Sequence, residues 1–398
     1  MLELKGRYCK DCKIFTDNIE PEALSMVYRF LEHPMFEGAK IRIMPDVHAG
    51  NDIVVGFTAG FDDRVNPDHV GGDIGCSVST AITDLEVDPG NYPAIEHAIR
   101  ENVCFGMEIH QKSVYQVREF YAHLERRLRE ARAAWPDMVD AADVTERGIS
   151  AMLRRLDQTE HMFYHSIGTV GGGNHFVEIG VTPEGRYAFT VHCGSRNFGQ
   201  KVWKYWHAQA GTLSGVSNGF LTGEAMRGYL TDMVVAQAYA EFNHMVIGRL
   251  VFDAIKANSG NRGAVVDTIF TTHNYIDFSM RMLRKGAVAA PEGRRLVIPF
   301  NMRDGLIVCR GRGNADWNCS APHGAGRLMS RADAKALVDL DEFREAMRGI
   351  YSTSVGASTV DESPMAYKAP DEILRLIGDT VEVEYFIRPV INLKAAGQ

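Results

Sequence analysis

No stretch of this sequence approaches the run of about 20 apolar residues that spans a bilayer, so no membrane partner is expected. The opening segment, MLELKGRYCKDCK, lacks the apolar core of an export signal, and a cytoplasmic protein is expected. Cysteine is scarce and odd in number. Seven residues scattered over 398 argue for reduced thiols rather than a disulfide frame. There is no internal repeat, no low-complexity tract and no Pro/Ser-rich linker. One domain over residues 1–398 is therefore expected, with helical insertions at about 114–156 and 225–255. An excess of basic residues is missing too. A net charge of −8 and a pI near 6.0 count against a general nucleic-acid-binding surface. A nucleic-acid enzyme of this composition must concentrate its positive charge locally.

What is present is an ordinary globular composition, 45% hydrophobic and 24% charged. IRIMP, DIVVGFTAG and CSVSTAIT read as short β-elements separated by glycine turns. Val114, Val117, Tyr121, Leu124, Leu128, Ala131 and Trp135 recur at spacings of three and four and predict a helix over 114–135. Its arginines alternate with glutamates and read as a solvated face. Residues 225–255 carry the longest helical pattern. Strands are predicted at 174–180, 186–193, around 295–310 and at 381–390, and helices around 326–376. The class is α+β: a mixed β core presents reactive loops, and helices brace it.

Five glycine-rich segments carry the unusual chemistry. In GGDIGC (71–76), Asp73 and Cys76 offer one hard and one soft ligand on a tight turn, a set suited to a borderline transition metal. A turn with a buried cysteine and a capping aspartate is the plainer reading. In GTVGGGNHFVEIG (168–180), consecutive glycines free backbone N–H groups for an anion, and Asn174 and His175 follow. Phe176 and Glu178 then share a strand face, a poor core pattern but a workable base-binding one; a β-bulge with a surface histidine is the alternative. VHCGSRNFG (191–199) ends a strand at His192 and reads as a turn that exposes Arg196, with Cys193 pointing away into packing. TTHNYI (271–276) delivers His273 and Asn274 at a strand end, where a lone histidine is as readily structural. In NADWNCSAPHGAGRLMSR (314–331), His323 precedes a Gly-Ala-Gly run that reads as a helix start, with Arg327 and Arg331 on one helix face. His323 is the candidate nucleophile toward phosphorus, or a general acid. The Cys9–Cys12 pair has no second pair of matching spacing and reads as a surface turn.

Taken in order, MPDVHAG (44–50), GGDIGC, GGGNHFVEI, VHCGSR, THN, HGAGR and DESPMAYK (361–368) resemble the RtcB family of RNA ligases, from about residue 40 to Lys394. The resemblance implies joining of an RNA 3′-phosphate or 2′,3′-cyclic phosphate to a 5′-hydroxyl, with GTP and two Mn²⁺ ions. It implies that Asp73, Cys76, His175, His192 and His273 are metal ligands, with Cys76 bridging, and that His323 becomes guanylylated. Asn174 would hold a phosphate oxygen, and Glu178 and Lys394 would contact guanine. His175, Phe176, Val177, His273, Asn274, Pro299, Met302, Gly324, Ala325, Gly326 and Tyr367 would complete the nucleotide site. Asp46 and Arg196 are the candidates near the incoming 5′-hydroxyl. Departures fall at AGNDIVVG, where a second glycine is usual, and at Cys193, where serine is usual. In IPFNMRDG (298–305), Asn301 replaces a serine near the nucleotide. They point to a divergent paralogue, one for RNA repair rather than tRNA splicing. Two other readings stay open: a metal-dependent cyclic phosphoesterase that does not ligate, and a silent RNA-end-binding protein.

Overall fold

Alternation of apolar residues along seven strands dictates the central element. In a computed structural model, which describes residues 1–140, 144–214 and 219–395, these strands form one antiparallel sheet. Their order across the sheet is Val265–Thr272, Ser77–Thr83, Tyr187–Cys193, Phe176–Val181, Val381–Leu393, Gly305–Gly311 and Arg295–Asn301. The sheet curls until its two outer strands meet. Val297 N donates to Thr271 Oγ1 at 3.1 Å, and Arg295 pairs with Asp267. Val78, Ala188, Ile269, Val297, Leu306, Val308 and Ile387 fill the enclosed interior. Residues of opposite parity, among them Val177, Ile179, Phe189, Val191 and Cys193, face outward and pack on helices. Phe176 pairs with His192, and Glu178 with Thr190, so Phe176, Glu178 and His192 all stand on the inner side. His192 lies near the end of its strand, at the mouth of the curl.

A second, six-stranded sheet contains Lys40–His48, which carries Asp46, between Asp11–Ile14 and Val55–Gly60. Its pairing with Asp11–Ile14 is parallel and that with Val55–Gly60 antiparallel, so the fold is α+β with one purely antiparallel and one mixed sheet. The helix predicted at 225–255 runs from Gly223 to Ala257. At 1.5 Å per residue it is roughly 52 Å long, and it contributes to both large apolar clusters. The predicted helix at 114–135 spans Val117–Ala134 and buries Phe120, Leu124, Leu128 and Ala131. Its arginines do form a solvated face, with Arg126 and Arg127 bonded to Glu130. The expected insertion at 114–156 continues in a helix over Glu146–Arg155; residues 141–143 lie outside the described residues. No helix among the described residues is long and apolar enough to cross a membrane, and all seven cysteines are free thiols.

Three readings need correction. VHCGSRNFG is not a turn exposing Arg196: residues Arg196–Ser214 form a 19-residue helix. Phe198, Val202, Trp206 and Ala210 bury one face of it at four-residue spacing. HGAGR does not open a helix either, because the next one starts only at Arg331. The N–H groups of His323 and Gly324 donate to Asp46, and Leu328 N donates to Ala366 O, so the segment is held by distant partners. Glycine on both sides of Ala325 disfavours a helix in any case. Finally, Cys9 and Cys12 are not at the surface. They are 0% and 2% exposed, inside the core of the N-terminal strands.

The long helix also does chemistry that its apolar pattern hides. Asn243 Oδ1 accepts from Gly168 N at 2.7 Å, and Asn243 Nδ2 donates to Thr169 O and Gly194 O at 3.1 and 3.2 Å. His244 bonds Cys193 O and Ser79 Oγ. Together they hold the backbones of the two motifs that supply His175 and His192. Asn243→Leu would strand a buried donor and two acceptors. It is expected to destabilise the protein by at least about 2 kcal/mol, read as a lower thermal midpoint. An unchanged midpoint would show that these bonds are made as well by water.

Candidate active site and metal centre

Five side chains from four segments meet at the mouth of the curled sheet. Cys76 follows the GGDIGC turn, and its Sγ lies 3.4 Å from His175 Nε2 and 3.2 Å from His192 Nε2. His192 Nε2 is 3.2 Å from His273 Nε2, and His175 Nε2 is 3.4 Å from Asp73 Oδ2. Asp73–Cys76–His175 and Cys76–His192–His273 are thus two triads sharing one sulfur, with the ligand atoms of each within 4.8 Å of one another. These are the five residues expected as ligands.

The donor set fits metal ions. His175 Nδ1–H donates to Val170 O at 2.9 Å, which fixes the tautomer and leaves Nε2 with its lone pair toward Cys76. Burial, reinforced by neighbouring imidazoles, pushes His192 and His273 well below the usual histidine range, so both rings are neutral. Burial and the Asp73 charge push the Cys76 thiol well up. His273 Nδ1 is buried without a partner. Neutral imidazoles, a carboxylate and a thiol crowded around one point are what a divalent cation would organise, deprotonating the sulfur as it binds.

Beside the triads, His323 Nδ1–H donates to Asp46 Oδ2 at 2.6 Å, and the same oxygen accepts from His323 N at 3.1 Å. The bond fixes the ring and leaves Nε2 as the basic nitrogen. The His323 ring stands 5.0 Å from that of His273, and its side chain keeps 18% exposure. Gly326 has φ 77°, and a Cβ there would lie 2.4 Å from Asp46 O; only glycine lets the HGAG loop sit this close to the aspartate strand.

A cavity of about 460 Å³ opens from His323 and His192 toward Glu178, a size suited to a nucleotide. Asn174, Phe176, Pro299, Met302, Gly324, Ala325, Gly326, Tyr367 and Lys394 line it. Lys394 Nζ sits 5.5 Å from the centre of the Phe176 ring and bonds Glu362 at 2.9 Å and Asn174 O at 3.3 Å. The cations of the wall, Arg327, Arg331 and Lys394, all pair with Glu362, and Glu20, Glu22 and Glu178 line the cavity too, so the expected local excess of basic charge is not found here. Burial would raise the Glu362 carboxyl, but Lys394 and Arg331 bring it down to about 2.

Other expected residues lie elsewhere. The Val177 side chain is buried in the core on the outer sheet face. Asn274 spends its Oδ1 on Gly286 N and its backbone carbonyl on Gly75 N, so it ties two turns together. Asp46 stands beside His323, bonded to it through Oδ2, and its Oδ1 is buried without a partner. The Arg196 guanidinium bonds Thr169 Oγ1 at 3.0 Å and Gly106 O at 2.9 Å. A Cβ at Gly171 would lie 1.8 Å from Arg196 Nη1, so the first glycine of GGGNH makes room for that arginine rather than for an anion. Glu362 and Asn392 were missed as cavity residues. The first stood in the quoted DESPMAYK motif without a role; nothing local marks the second.

The sequence matches the tRNA-splicing ligase RtcB family over residues 29–395. The chain belongs to the RtcB family. Its relatives include the RNA-splicing ligase RtcB1 of Escherichia coli strain ATCC 25922, 29% identical over 383 residues, covering 89% of this chain and 90% of that protein. The RNA-splicing ligase RtcB of E. coli K12 is 29% identical over 382 residues, with the same coverage. The tRNA-splicing ligase RtcB of Aeropyrum pernix is 27% identical over 404 residues, covering 84% of this chain and 83% of that protein. The match takes in every RtcB motif from GGDIGC to Lys394, so the two triads and the His323–Asp46 pair lie within the family region.

Proposed function

We propose that this chain is a cytoplasmic RNA ligase, one catalytic domain, that uses GTP and two Mn²⁺ ions to join an RNA 3′-phosphate or 2′,3′-cyclic phosphate to a 5′-hydroxyl. The observation that carries the reading is the placement of an oriented, accessible imidazole, His323, between two metal-type triads and a nucleotide-sized cavity. Asp73, Cys76 and His175 would hold one ion, and Cys76, His192 and His273 the other. Ions held there would supply Lewis-acid relief of phosphate charge. Asp46 keeps the Nδ1 proton of His323, so Nε2 attacks the α-phosphorus of GTP; the N–P bond forms and pyrophosphate leaves. The RNA 3′-phosphate then takes GMP from His323. The 5′-hydroxyl oxygen attacks the activated phosphorus, loses its proton, and GMP departs as the phosphodiester forms. A cyclic phosphate is first hydrolysed to the 3′-phosphate.

The test is an RNA pair with 2′,3′-cyclic phosphate and 5′-hydroxyl ends, incubated with the protein, GTP and Mn²⁺. Joined product is expected. Opening of a cyclic phosphate without joining would replace this reading with the phosphoesterase.

Glu178 gives the site a pH signature. Burial raises its carboxyl to about 8, although Asn392 and Lys394 pull it down. In the empty cavity it is therefore largely protonated at neutral pH, whereas guanine N1–H and N2–H need a charged acceptor. Guanine-nucleotide affinity is expected to rise about tenfold per pH unit up to about 8 and then level off. The Glu178→Gln variant should show weaker binding without that slope. Binding by wild type and variant with the same pH dependence would remove Glu178 from base recognition.

A further inference from the structure

Asn392 faces Glu178 across the sheet, the two residues being direct partners of neighbouring strands. Its Nδ2 donates to Glu178 Oε2 at 2.9 Å. Its Oδ1 is buried and has no hydrogen-bond partner, although Asn392 is only 1% exposed and lines the cavity. A buried amide oxygen left without a donor carries a desolvation cost that the protein alone does not offset. No protein donor reaches that oxygen, so a donor has to come from what fills the cavity.

We infer that Asn392 is a specificity residue for the purine 2-amino group. This rests on the reading of the cavity as a guanine-nucleotide site. Glu178 and Asn392 together present a carboxylate oxygen and an amide oxygen side by side, with Asn392 Nδ2 occupying the second carboxylate oxygen and aligning the first. One edge of guanine offers N1–H and the two N2–H hydrogens. Glu178 takes N1–H and one amino hydrogen, and Asn392 Oδ1 takes the other. Hypoxanthine keeps N1–H but has no 2-amino group, so it leaves Asn392 Oδ1 unpaired. Adenine presents a lone pair at N1, which the charged Glu178 carboxylate rejects. The two side chains thus divide the recognition: Glu178 tells guanine from adenine, and Asn392 tells guanine from hypoxanthine. A site built around a specific hydrogen bond rejects the analogue lacking that group far better than an apolar wall does.

The two roles separate with three nucleotides. Equilibrium binding of α,β-non-hydrolysable analogues of GTP, ITP and ATP, which cannot transfer their nucleotidyl group to His323, is measured above pH 8, where Glu178 is charged, on the Mn²⁺-loaded wild type and on Asn392→Leu. The wild type is expected to favour GTP over ITP by about tenfold to a hundredfold. Asn392→Leu should bring that ratio to within about twofold while still rejecting ATP, because Glu178 is intact. Retained rejection of ATP also shows that the pocket of the variant has folded. An equal GTP/ITP ratio in wild type and Asn392→Leu overturns the assignment, as does a wild type that does not distinguish the two. Binding is read rather than turnover, so absence of a guanylylated protein would sink the role of His323 and leave this test standing. No measurable affinity for any of the three nucleotides overturns the nucleotide reading and this inference together.

Discussion

Replacing His323 by alanine is expected to remove the guanylylated protein and to stop joining of 3′-phosphate ends, a loss on the order of a thousandfold or more. The variant has the triads but no nitrogen to attack the α-phosphorus. The same variant is expected to seal RNA supplied with its 3′ end already activated as a guanosine diphosphate ester. In that last displacement GMP leaves from RNA, and His323 has no bond to make. The contrast separates a nucleophile from a residue that merely shapes the pocket. Failure on the activated RNA, with fold and metal content intact, would mean that His323 does something other than carry GMP. Asp46→Asn should fall between wild type and His323→Ala in adduct formation, because the 2.6 Å bond that aims the ring would be weakened, not lost.

Cys76→Ala is the second large effect. Its sulfur is the one atom common to both triads, so its removal weakens both sites at once. Bound manganese should fall, and guanylylation and joining should drop together by at least about a hundredfold. Cys193 is the control. It lies 117 residues further along the chain, next to His192, yet its thiol points into the core behind the sheet. Cys193→Ala should keep its metal and most of its activity, with a modest loss of stability from the small cavity. Elemental analysis of the two purified variants, read beside their adduct yields, decides the matter. Equal loss in both, or in neither, would remove Cys76 as the shared ligand.

The two triads were legible because each member stands in a few consecutive residues that carry its chemistry. A glycine turn, a strand end and a histidine or cysteine stand together at 71–76, 171–175, 191–193 and 271–273. Parity along a strand was enough to separate His192 from Cys193 and to place Phe176 and Glu178 on one side. The same parity rule placed Val177 opposite, in the core, and the nucleotide role given to it by resemblance ignored that. What the sequence hid was long-range pairing. Asp46 and His323 are 277 positions apart, and nothing near either residue announces the bond. Glu178 and Asn392, 214 apart, meet only because the last strand joins the sheet beside Phe176–Val181. Arg196 was misplaced for a related reason. A Gly-Ser-Arg run looks like an exposed turn, but the following residues bury Phe198, Val202 and Trp206 as a helix, and the arginine folds back onto Gly171. The HGAGR segment misled in the other direction: its glycines allow an irregular loop against Asp46, where a helix start had been expected.

Incubation of the purified protein with GTP and Mn²⁺, followed by intact mass and peptide mapping, tests the His323 chemistry most directly. One guanylyl group per chain is expected, on His323, as a phosphoramidate that is lost in acid and persists in alkali. A protein that joins RNA ends with no such adduct, or that carries the adduct on another residue, would contradict it.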